Sequence, residues 1–540
     1  MSSFNTRQPS APRHIPTDSV IPLHRQDDTF QNRNLSVEFT MRFDDVLDAQ
    51  QLADSLWKLL EKPGWRKLGA RLRLNKSTDR LEYHIPTQYT KERPPINFTQ
   101  NSYDMRLEEH HIGRRFPKVD DGDRIQAFDV LDSLHELTQT ENSTAVLADW
   151  IYSDKAQLGL HIVNFQDATL VTLTWLHALL DGMGRRALLN AWVAVLEGRD
   201  DDVPEFWGYD FDPLEDLGAP LKDDARSIEN SPASKEKQHR FWMATQGIKT
   251  WLLRLLSFKS AFAYLYSRIF GSSQINGGRM IYMPPSYMTR LRTEAMRDLA
   301  SLDSSQITYN TSSPANPKPF LSDGDIISAW LVQRLAVSDL KLLKSPPSRP
   351  VQIINVLGMR DILSTATAKY KVLIPKDKAY IGNCTAGIIT QLGLKQFLDL
   401  PLGHLAARLR KDLVEQGTRD VVEERQRANR TSQQTSASPP NASMAPARFV
   451  ISNWAKGKFF ETDFSAAIVP GKGPSTNSRV ARGKPTYIHA YATDARVNSN
   501  EAVLGSIGNC VGKDARGGYW IGGLLAKAYE QAFEVAVLGG

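Results

Sequence analysis

The sequence predicts an α/β protein with two domains, and two observations support this prediction. The chain has 540 residues, which is too long for one simple hydrophobic core, so two domains are expected. Short segments rich in β-branched and large apolar residues alternate along the chain with segments of helical periodicity. The apolar content of 41% is ordinary for a globular protein, as is the charged content of 23%.

The first domain is assigned to residues 36–225. It follows a polar, proline-containing N-terminal segment over 1–35 that is expected to be flexible. The segment 35–43 (LSVEFTMRF) has the composition of a strand. A helix is expected from about Asp48 to Leu60, where the apolar residues recur with helical spacing.

The second domain is assigned to residues 276–540. Ser322 precedes the apolar run DGDIISAWLVQRLA and predicts a capped helix there. Residues 417–446 are charged and then of low complexity, and this composition predicts an insertion whose latter part is disordered. Residues 226–275 are interpreted as a crossover linker between the two domains.

Within this linker, residues 248–270 are apolar but carry four dispersed Lys and Arg residues, which predicts an amphipathic helix. The preferred interpretation is a helix that packs on the body of the protein or connects the domains. The alternative is peripheral contact with a membrane, with the basic residues facing the lipid headgroups.

Composition argues against several classes of partner. The net charge is +6 and the basic residues are dispersed rather than interleaved with aromatics, which argues against nucleic-acid binding. The two cysteines, Cys384 and Cys510, form no cluster with zinc-ligand spacing, so no metal is expected. The N-terminus has no apolar signal core and no apolar run reaches about 18 residues, so a cytoplasmic protein without a transmembrane segment is expected. No feature demands an oligomer, and a monomer is expected.

The most informative residue for function is His177. It directly follows the apolar segment Ala168–Trp175, which is predicted to be a buried strand, and it begins the pattern H-x-x-x-D-G with Asp181 and Gly182. A helix is predicted over Met183–Glu197. A histidine between a core strand and a helix is well placed to present its ring to a cleft. A lone histidine at such a place is more often structural, so its interpretation depends on the rest of the chain.

Three further blocks accompany HALLDG at His177. They are NVLGMRDIL at Asn355–Leu363, YIGNCT at Tyr380–Thr385 and SNWAKGKFFETDFSAA at Ser452–Ala467. In order and spacing, the four blocks together resemble the BAHD acyltransferase superfamily, in particular its fungal branch with the trichothecene acetyltransferases. The resemblance covers about residues 35 to 535.

This resemblance implies a fold of two chloramphenicol-acetyltransferase-like domains, each a mixed sheet flanked by helices, with an active-site channel between them. It implies an acyl-CoA as co-substrate, most simply acetyl-CoA, and no permanently bound cofactor. The acceptor would be a small-molecule alcohol, a secondary metabolite such as a terpenoid or polyketide. The residues that contact coenzyme A are not assigned.

The chemistry of such a transfer assigns His177 as the general base. An alcohol has a pKa far above 7, so a positioned base must remove its proton during attack on the thioester. Histidine, with a reference pKa of about 6.5, can accept that proton near neutrality and return it to the leaving thiolate. Asn383 in the YIGNCT block is the candidate donor to the oxyanion.

The resemblance also implies structural roles for four residues. Asp181 is expected to shape the site through an arginine partner, rather than to form a catalytic dyad with the histidine. Arg360 is expected to pair with Asp463 and to fix the second domain. Gly182 is expected to adopt a backbone conformation at the turn that a Cβ atom would disfavour.

One departure from the family pattern keeps alternatives open. The family has DFGWG where this chain has DFSAA at residues 463–467, although GKP recurs at 483–485 as though the motif were split. A catalytically silent, ligand-binding protein is one alternative, and an N-acyltransferase acting on an amine is another. Cys384 as a nucleophile is a weaker interpretation, because a lone cysteine is more often a small buried hydrophobe.

Overall fold

The computed structural model describes nine stretches of the chain. They are residues 10–130, 134–140, 143–219, 278–310, 317–432, 446–472, 481–494, 505–524 and 530–539. The amphipathic helix predicted over 248–270 lies outside the described residues, as does the whole predicted linker 226–275.

The strands of the described part have the following bounds. They are β1 Ser19–Pro22, β2 Leu35–Phe43, β3 Arg71–Asn75, β4 Arg80–Ile85, β5 Ile96–Ser102, β6 Gln126–Val130, β7 Leu158–Asn164, β8 Thr169–Leu176, β9 Gly278–Met283, β10 Tyr309–Asn310, β11 Lys318–Pro319, β12 Pro350–Gly358, β13 Thr385–Gly393, β14 Ala447–Asn453, β15 Tyr487–Asp494, β16 Gly505–Lys513 and β17 Tyr519–Leu524.

The α-helices of the described part are numbered in the same way. They are α1 Phe30–Asn34, α2 Ala49–Glu61, α3 His135–Thr138, α4 Leu147–Ile151, α5 Gly182–Leu196, α6 Pro285–Asp298, α7 Asp323–Ser338, α8 Leu340–Leu343, α9 Arg360–Leu363, α10 Leu394–Asp399, α11 Leu402–Gln416, α12 Arg419–Ser432 and α13 Glu530–Leu538. None of these helices is long and apolar enough to cross a membrane.

Two large sheets form the body of the molecule. A five-stranded sheet has the order β15-β2-β8-β7-β5, and a seven-stranded sheet has the order β13-β12-β14-β16-β17-β9-β6. Both sheets are mixed, because β5 runs parallel to β7 in the first and β14 runs parallel to β12 and β16 in the second. Helices flank both sheets, and the predicted α/β architecture is confirmed.

The two halves of the chain exchange strands. β15 comes from the C-terminal half but pairs with β2 at the edge of the five-stranded sheet. β6 comes from the N-terminal half but pairs with β9 at the edge of the seven-stranded sheet. A division of the chain at one linker therefore does not coincide with the division into sheets.

The elements beside the predicted motifs form where their sequence patterns indicate. The apolar segment before His177 is β8, and the helix that follows ends before Gly198, whose φ of +74° favours glycine. Asp48 caps α2 by accepting a hydrogen bond from the backbone N–H of Gln51 at 2.9 Å. Ser322 caps α7 in the same way, with Asp325 completing a capping box.

One prediction about a flexible segment differs from the structure. Within the predicted flexible segment 1–35, residues 10–35 are described and include β1, which pairs with β4, and α1. Within the predicted insertion 417–446, the charged part forms α12, and residues 433–445 of the low-complexity part lie outside the described residues. A buried ion pair within this helix joins Arg419 and Glu423, and the Glu423 carboxylate ties the helix to the rest of the protein by accepting the backbone N–H of Gly218.

Candidate active site

His177 is held by its backbone at the end of the central strand β8. Its N–H donates to the carbonyl oxygen of Leu35 at 2.7 Å, and its own carbonyl oxygen accepts from Nδ2 of Asn383 at 2.9 Å. Nδ1 of the ring is buried and forms no hydrogen bond with the described residues. Contacts from both halves of the chain therefore fix the point from which the imidazole projects.

Burial sets the protonation state of this imidazole. It lowers the pKa of His177 below its usual value, because a charged ring loses hydration. The carboxylate of Asp181 opposes this shift, and the positive charge of Arg185 adds to it. The ring is therefore neutral near pH 7, which is the state that a general base requires.

Asp181 is fully engaged at the start of α5 and makes no hydrogen bond to His177. Its Oδ1 accepts from the backbone N–H groups of Met183 at 3.1 Å and Gly184 at 2.8 Å, so it is the N-cap of the helix. Its Oδ2 accepts the backbone N–H of Cys384 at 2.9 Å. Such a carboxylate shapes the turn rather than activating the histidine.

The arginine partner of Asp181 is Arg360. The guanidinium forms two parallel hydrogen bonds to the carboxylate, at 2.8 Å and 2.9 Å. It also donates to the carbonyl oxygens of Tyr380 at 3.0 Å and Gly382 at 2.7 Å. Burial opposes both charges, but Arg360 lowers the pKa of Asp181, and Asp181 raises that of Arg360. One ion pair thus joins three of the four sequence blocks.

The predicted pairing of Arg360 with Asp463 is wrong. Asp463 lies in the fourth block, where its Oδ1 accepts the backbone N–H of Ser465 at 2.9 Å. Arg360 donates instead to Asp181 and to two carbonyl groups. The carboxylate that neutralises Arg360 therefore comes from the H-x-x-x-D-G block itself.

The two halves of the split motif meet in space. The backbone N–H of Phe464 donates to the carbonyl oxygen of Gly483 at 2.8 Å, and Gly483 has a φ of +77°. The Phe464 ring packs on Trp192 of α5 and on Phe43 of β2. DFSAA followed by GKP therefore anchors the C-terminal half on the five-stranded sheet, even though the family's glycines and tryptophan are absent.

Asn383 does not serve as an oxyanion donor in this structure. Its side-chain amide group donates to Oδ1 of Asp27 and to the carbonyl oxygen of His177, both at 2.9 Å. An amide nitrogen carries two hydrogens, so both are used. The prediction for Asn383 is therefore corrected to a positioning role, in which it holds the backbone of His177.

Asp27 belongs to a buried polar network that sequence reasoning missed. Besides the side-chain bond, its Oδ1 accepts the backbone N–H of Asn383 at 2.6 Å. His24 lies nearby, and its Nε2 is 3.0 Å from Nζ of Lys67. Burial raises the pKa of Asp27 and lowers that of Lys67. No sequence signal links Asp27 to a partner 356 positions away.

The glycine that the turn requires is Gly184, not Gly182. A Cβ atom on Gly182 would lie 3.8 Å from the ring of Trp454, which is ordinary contact. A Cβ atom on Gly184 would lie 1.9 Å from the carbonyl oxygen of Ile381. The prediction for Gly182 is therefore wrong, since close approach of α5 to the YIGNCT turn constrains the glycine two residues later.

Arg185 is a second residue that sequence reasoning missed. Its guanidinium carbon lies 4.0 Å from the ring centre of Phe39, 4.2 Å from that of Phe459 and 4.7 Å from that of Trp454. Nε and Nη2 are buried without a hydrogen-bond partner in the described part of the chain. Cation–π contact stabilises the buried charge. The sequence does contain one indication that Arg185 is buried, because it stands at helical spacing from Leu188 and Leu189 on the buried face of α5.

The two cysteines have no nucleophilic character. Both are buried, and burial raises the pKa of each thiol to about 12. The interpretation of Cys384 as a nucleophile is therefore not supported. Among the residues that the structure describes, no group of three or more His, Cys, Asp or Glu side chains is arranged to hold a metal ion.

The chain has full-length relatives among characterised fungal proteins. It is 33% identical to the "Transcriptional regulator calD" of Penicillium decumbens, covering 97% of this chain and 96% of the relative. It is 31% identical to the "Acetyltransferase adrJ" of Penicillium rubens over the same shares of the two chains. It is 32% identical to the "O-acetyltransferase PaAT-2" of Phomopsis amygdali, covering 95% and 96%. No protein-family model matches the chain.

Solved structures show the same fold. TRI101 of F. sporotrichioides, complexed with coenzyme A and T-2, superposes with a TM-score of 0.56 at 14% identity, covering 95% of this chain and 96% of that one. Vinorine synthase superposes with a TM-score of 0.51 at 12% identity, covering 98% and 95%. The two chloramphenicol-acetyltransferase-like domains are thereby confirmed. The chain is an acyltransferase that uses acyl-CoA as co-substrate, and it belongs to the BAHD-type acyl-CoA-dependent acyltransferase superfamily, alongside the fungal acetyltransferases.

Proposed function

We propose that the protein is an O-acetyltransferase that transfers the acetyl group of acetyl-CoA to a hydroxyl of a fungal secondary metabolite, such as a terpenoid or a polyketide. His177 is the general base. The names of the acetyltransferase relatives support the donor and the type of reaction. The position of His177, between the strand end and the bonded pair Asp181–Arg360, supports its role.

The reaction is a direct transfer in a ternary complex. The neutral His177 ring accepts the proton of the acceptor hydroxyl while the hydroxyl oxygen bonds to the carbonyl carbon of the thioester. The carbonyl oxygen becomes an oxyanion. Its collapse breaks the carbon–sulfur bond, and the imidazolium returns the proton to the departing thiolate. The products are an ester and free coenzyme A, and no acyl group is attached to the protein at any stage.

The observation that carries this proposal is the way in which His177 is fixed and kept neutral. Two backbone hydrogen bonds set the position of the residue, and burial lowers its pKa. Asp181, the nearest acid in the motif, is saturated by Arg360 and by backbone N–H groups. The histidine is therefore a base that acts without a carboxylate partner.

The test is thiol release from acetyl-CoA in the presence of a panel of terpenoid and polyketide alcohols, with detection of the ester by mass spectrometry. Replacing His177 with Ala is expected to lower kcat by about 100-fold or more, because the positioned base is lost. His111→Ala is the matched control, since His111 is exposed, bonds to Glu136 and packs on the ring of His110.

The same assay separates the alternatives. Equal thiol release by the wild type and His177→Ala would exclude His177 as the base. Release with amines of the same skeleton but not with alcohols would identify an N-acyltransferase. Binding of coenzyme A and of an alcohol by the wild type without any thiol release would identify a silent, ligand-binding protein.

A further inference from the structure

The peptide group that precedes His177 is held by two hydrogen bonds. The carbonyl oxygen of Leu176 accepts from the backbone N–H of Leu179 at 2.8 Å, and the N–H of His177 donates to the carbonyl oxygen of Leu35 at 2.7 Å. A peptide group is planar, so bonds to both of its polar atoms fix the orientation of the whole plane.

The peptide group that follows His177 is held in the same way. The N–H of Ala178 donates to the carbonyl oxygen of Asn32 at 3.1 Å, and the carbonyl oxygen of His177 accepts from Nδ2 of Asn383 at 2.9 Å. With both planes held, the backbone torsions of His177 are set, and so is the direction in which its Cα–Cβ bond carries the imidazole. Of these four bonds, the one from Asn383 is the only one made by a side chain.

Asp27 determines which way the side-chain amide of Asn383 points. Its Oδ1 accepts from Nδ2 of Asn383 at 2.9 Å and from the backbone N–H of the same residue at 2.6 Å. The amide thus lies between two acceptors, Oδ1 of Asp27 and the carbonyl oxygen of His177, and only its NH2 end can bond to both. A rotated amide would place its own oxygen against these two oxygens. The carboxyl group of Asp27 therefore keeps the donor aimed at His177.

The carboxyl group of Asp27 is built into the interior at this place. It is almost completely buried, and a Cβ atom on Gly382 would lie 2.9 Å from its Oδ2. The backbone N–H of Asp27 donates to the carbonyl oxygen of His24 at 3.0 Å, which closes the turn that carries the carboxyl group. Burial of a carboxyl group is costly unless hydrogen bonds replace its hydration. In the described part of the chain, both hydrogen bonds to this carboxyl group come from Asn383.

We propose that Asp27 is a positioning residue of the acyl transfer, which acts through Asn383 to fix the backbone from which the His177 imidazole reaches the acceptor hydroxyl. This inference rests on the proposed function. It gives the segment before β8 in sequence, residues 27–35, a part in the reaction: Asn32 and Leu35 bond directly to the peptide groups beside His177, and Asp27 acts on them through Asn383.

The test is the kinetics of acetyl transfer by variants of Asp27. Asp27→Ala removes the acceptor and is expected to lower kcat by about 10- to 100-fold, because a small displacement of the base is costly to the rate. The KM for acetyl-CoA is expected to stay unchanged, because the contacts of Asp27 are to the backbone and side chain of Asn383. Asp27→Asn retains an oxygen that can accept both N–H groups, so its kcat is expected to stay close to that of the wild type.

Asp28→Ala is the matched control. Asp28 is the neighbouring buried carboxylate, but it accepts from Arg33 and from the backbone N–H of Leu81. Its removal is expected to lower Tm and to leave kcat unchanged at a temperature at which the variants are folded. An equal loss of kcat in Asp27→Ala and Asp28→Ala would indicate general loosening of the segment and would overturn the proposal. Asp27→Ser, which leaves a hydroxyl in the turn, is used if Asp27→Ala does not fold.

A double-mutant cycle tests whether Asp27 acts through Asn383. Asn383→Ala is expected to lower kcat as Asp27→Ala does, and the double variant is expected to lose no more than either single variant, because the two residues act in series. Independent, multiplicative losses in kcat would show that Asp27 does not act through Asn383.

A crystal structure of Asp27→Ala supplies a measurement that does not need turnover. The amide of Asn383 is expected to rotate, and the peptide group after His177 to move. An unchanged backbone at His177 would overturn the positioning role. Absence of turnover by the wild type with every acceptor would instead contradict the proposed function, so the two failures are distinguishable.

Discussion

At the scale of single residues, two charged side chains act on His177, and they differ in their partners: Asp181 has an ion-pair partner, whereas Arg185 is packed among aromatic rings. Asp181 is paired with Arg360 in a two-pronged ion pair, and its negative charge opposes the effect of burial on the pKa of His177. Arg185 is surrounded by aromatic rings, and no carboxylate of the described chain forms an ion pair with it. Cation–π contacts stabilise a charge without cancelling it. Burial is the main cause of the lowered pKa of His177, and the positive charge of Arg185 acts in the same direction.

This arrangement predicts the pH dependence of the reaction. A base works only when deprotonated, and the pKa of His177 is lowered, so kcat/KM is expected to hold as pH falls past about 6.5 and to decline only below it. Arg185→Met removes the positive charge and keeps an apolar side chain in the aromatic cage. The acid limb of the profile is then expected to move to higher pH.

The measurement is kcat/KM against pH for the wild type, Arg185→Met and Arg185→Lys. The lysine variant preserves the charge, so its acid limb is expected to stay close to that of the wild type. If the methionine and lysine variants shift the limb by the same amount, the effect comes from altered packing, and the electrostatic role of Arg185 is wrong.

Residue roles were the part of the site that sequence could assign least reliably. The spacing of H-x-x-x-D-G places His177 at a strand end, and this follows from local pattern alone. The role of Asn383 depends on Asp27, and the partner of Arg360 depends on which of two aspartates comes within reach. Those contacts arise from chain segments more than 170 positions apart. Periodicity and composition carry no information about such pairs.

At the scale of elements, α5 approaches the YIGNCT turn so closely that one glycine is required. This approach aligns the N-terminus of the helix with the backbone of Cys384, and Asp181 bonds to both. The sequence contains two glycines at this point, Gly182 and Gly184. Gly182 belongs to the H-x-x-x-D-G motif, but it is Gly184 that faces the YIGNCT turn.

The pair of glycines provides an internal comparison. Gly184→Ala is expected to destabilise the protein by about 1–3 kcal/mol, because its Cβ would overlap the carbonyl oxygen of Ile381. Gly182→Ala is expected to leave stability nearly unchanged, since its Cβ has room beside Trp454. Apparent Tm in thermal unfolding measures both. A lower Tm for Gly182→Ala than for Gly184→Ala would contradict the packing described for α5.

The positions of strands and helices were predictable where the sequence shows both the apolar periodicity of the element and the residues that bound it. The strand over 35–43 and the helix capped by Ser322 have both the pattern and the bounding residues. The charged run at 419–432 forms α12, and its charges four residues apart, such as Arg419 and Glu423, are a helix signal. The N-terminal segment has little periodicity and is ordered through pairing with β4, which no local feature reveals.

At the scale of the whole molecule, the two halves of the chain are interlocked around His177. β15 and β6 cross to the opposite sheets, and Phe464 is inserted beside α5. The ion pair between Asp181 and Arg360 is a further connection between the two halves. It links the end of the first half to the turn at Tyr380, so site geometry and global stability depend on the same contact.

The ion pair is therefore expected to stabilise the molecule in a pH-dependent manner. Asp181 is almost completely buried, and Arg360→Met would leave its charge without a partner, at a cost of about 3 kcal/mol. The pKa of Asp181 is lowered in the folded protein. The stabilisation is thus fully present above the unfolded-state pKa of about 3.9 and is lost as pH falls through the folded value.

Asp181→Asn/Arg360→Met removes both charges and is expected to recover part of the lost Tm, because the uncompensated buried charge is the main penalty. Apparent Tm measured from neutral pH into the acid range, for the wild type, each single variant and the double variant, decides the matter. A double variant no more stable than the worse single variant would show that the two side chains act independently, and that the halves are held together near His177 by the exchanged strands instead.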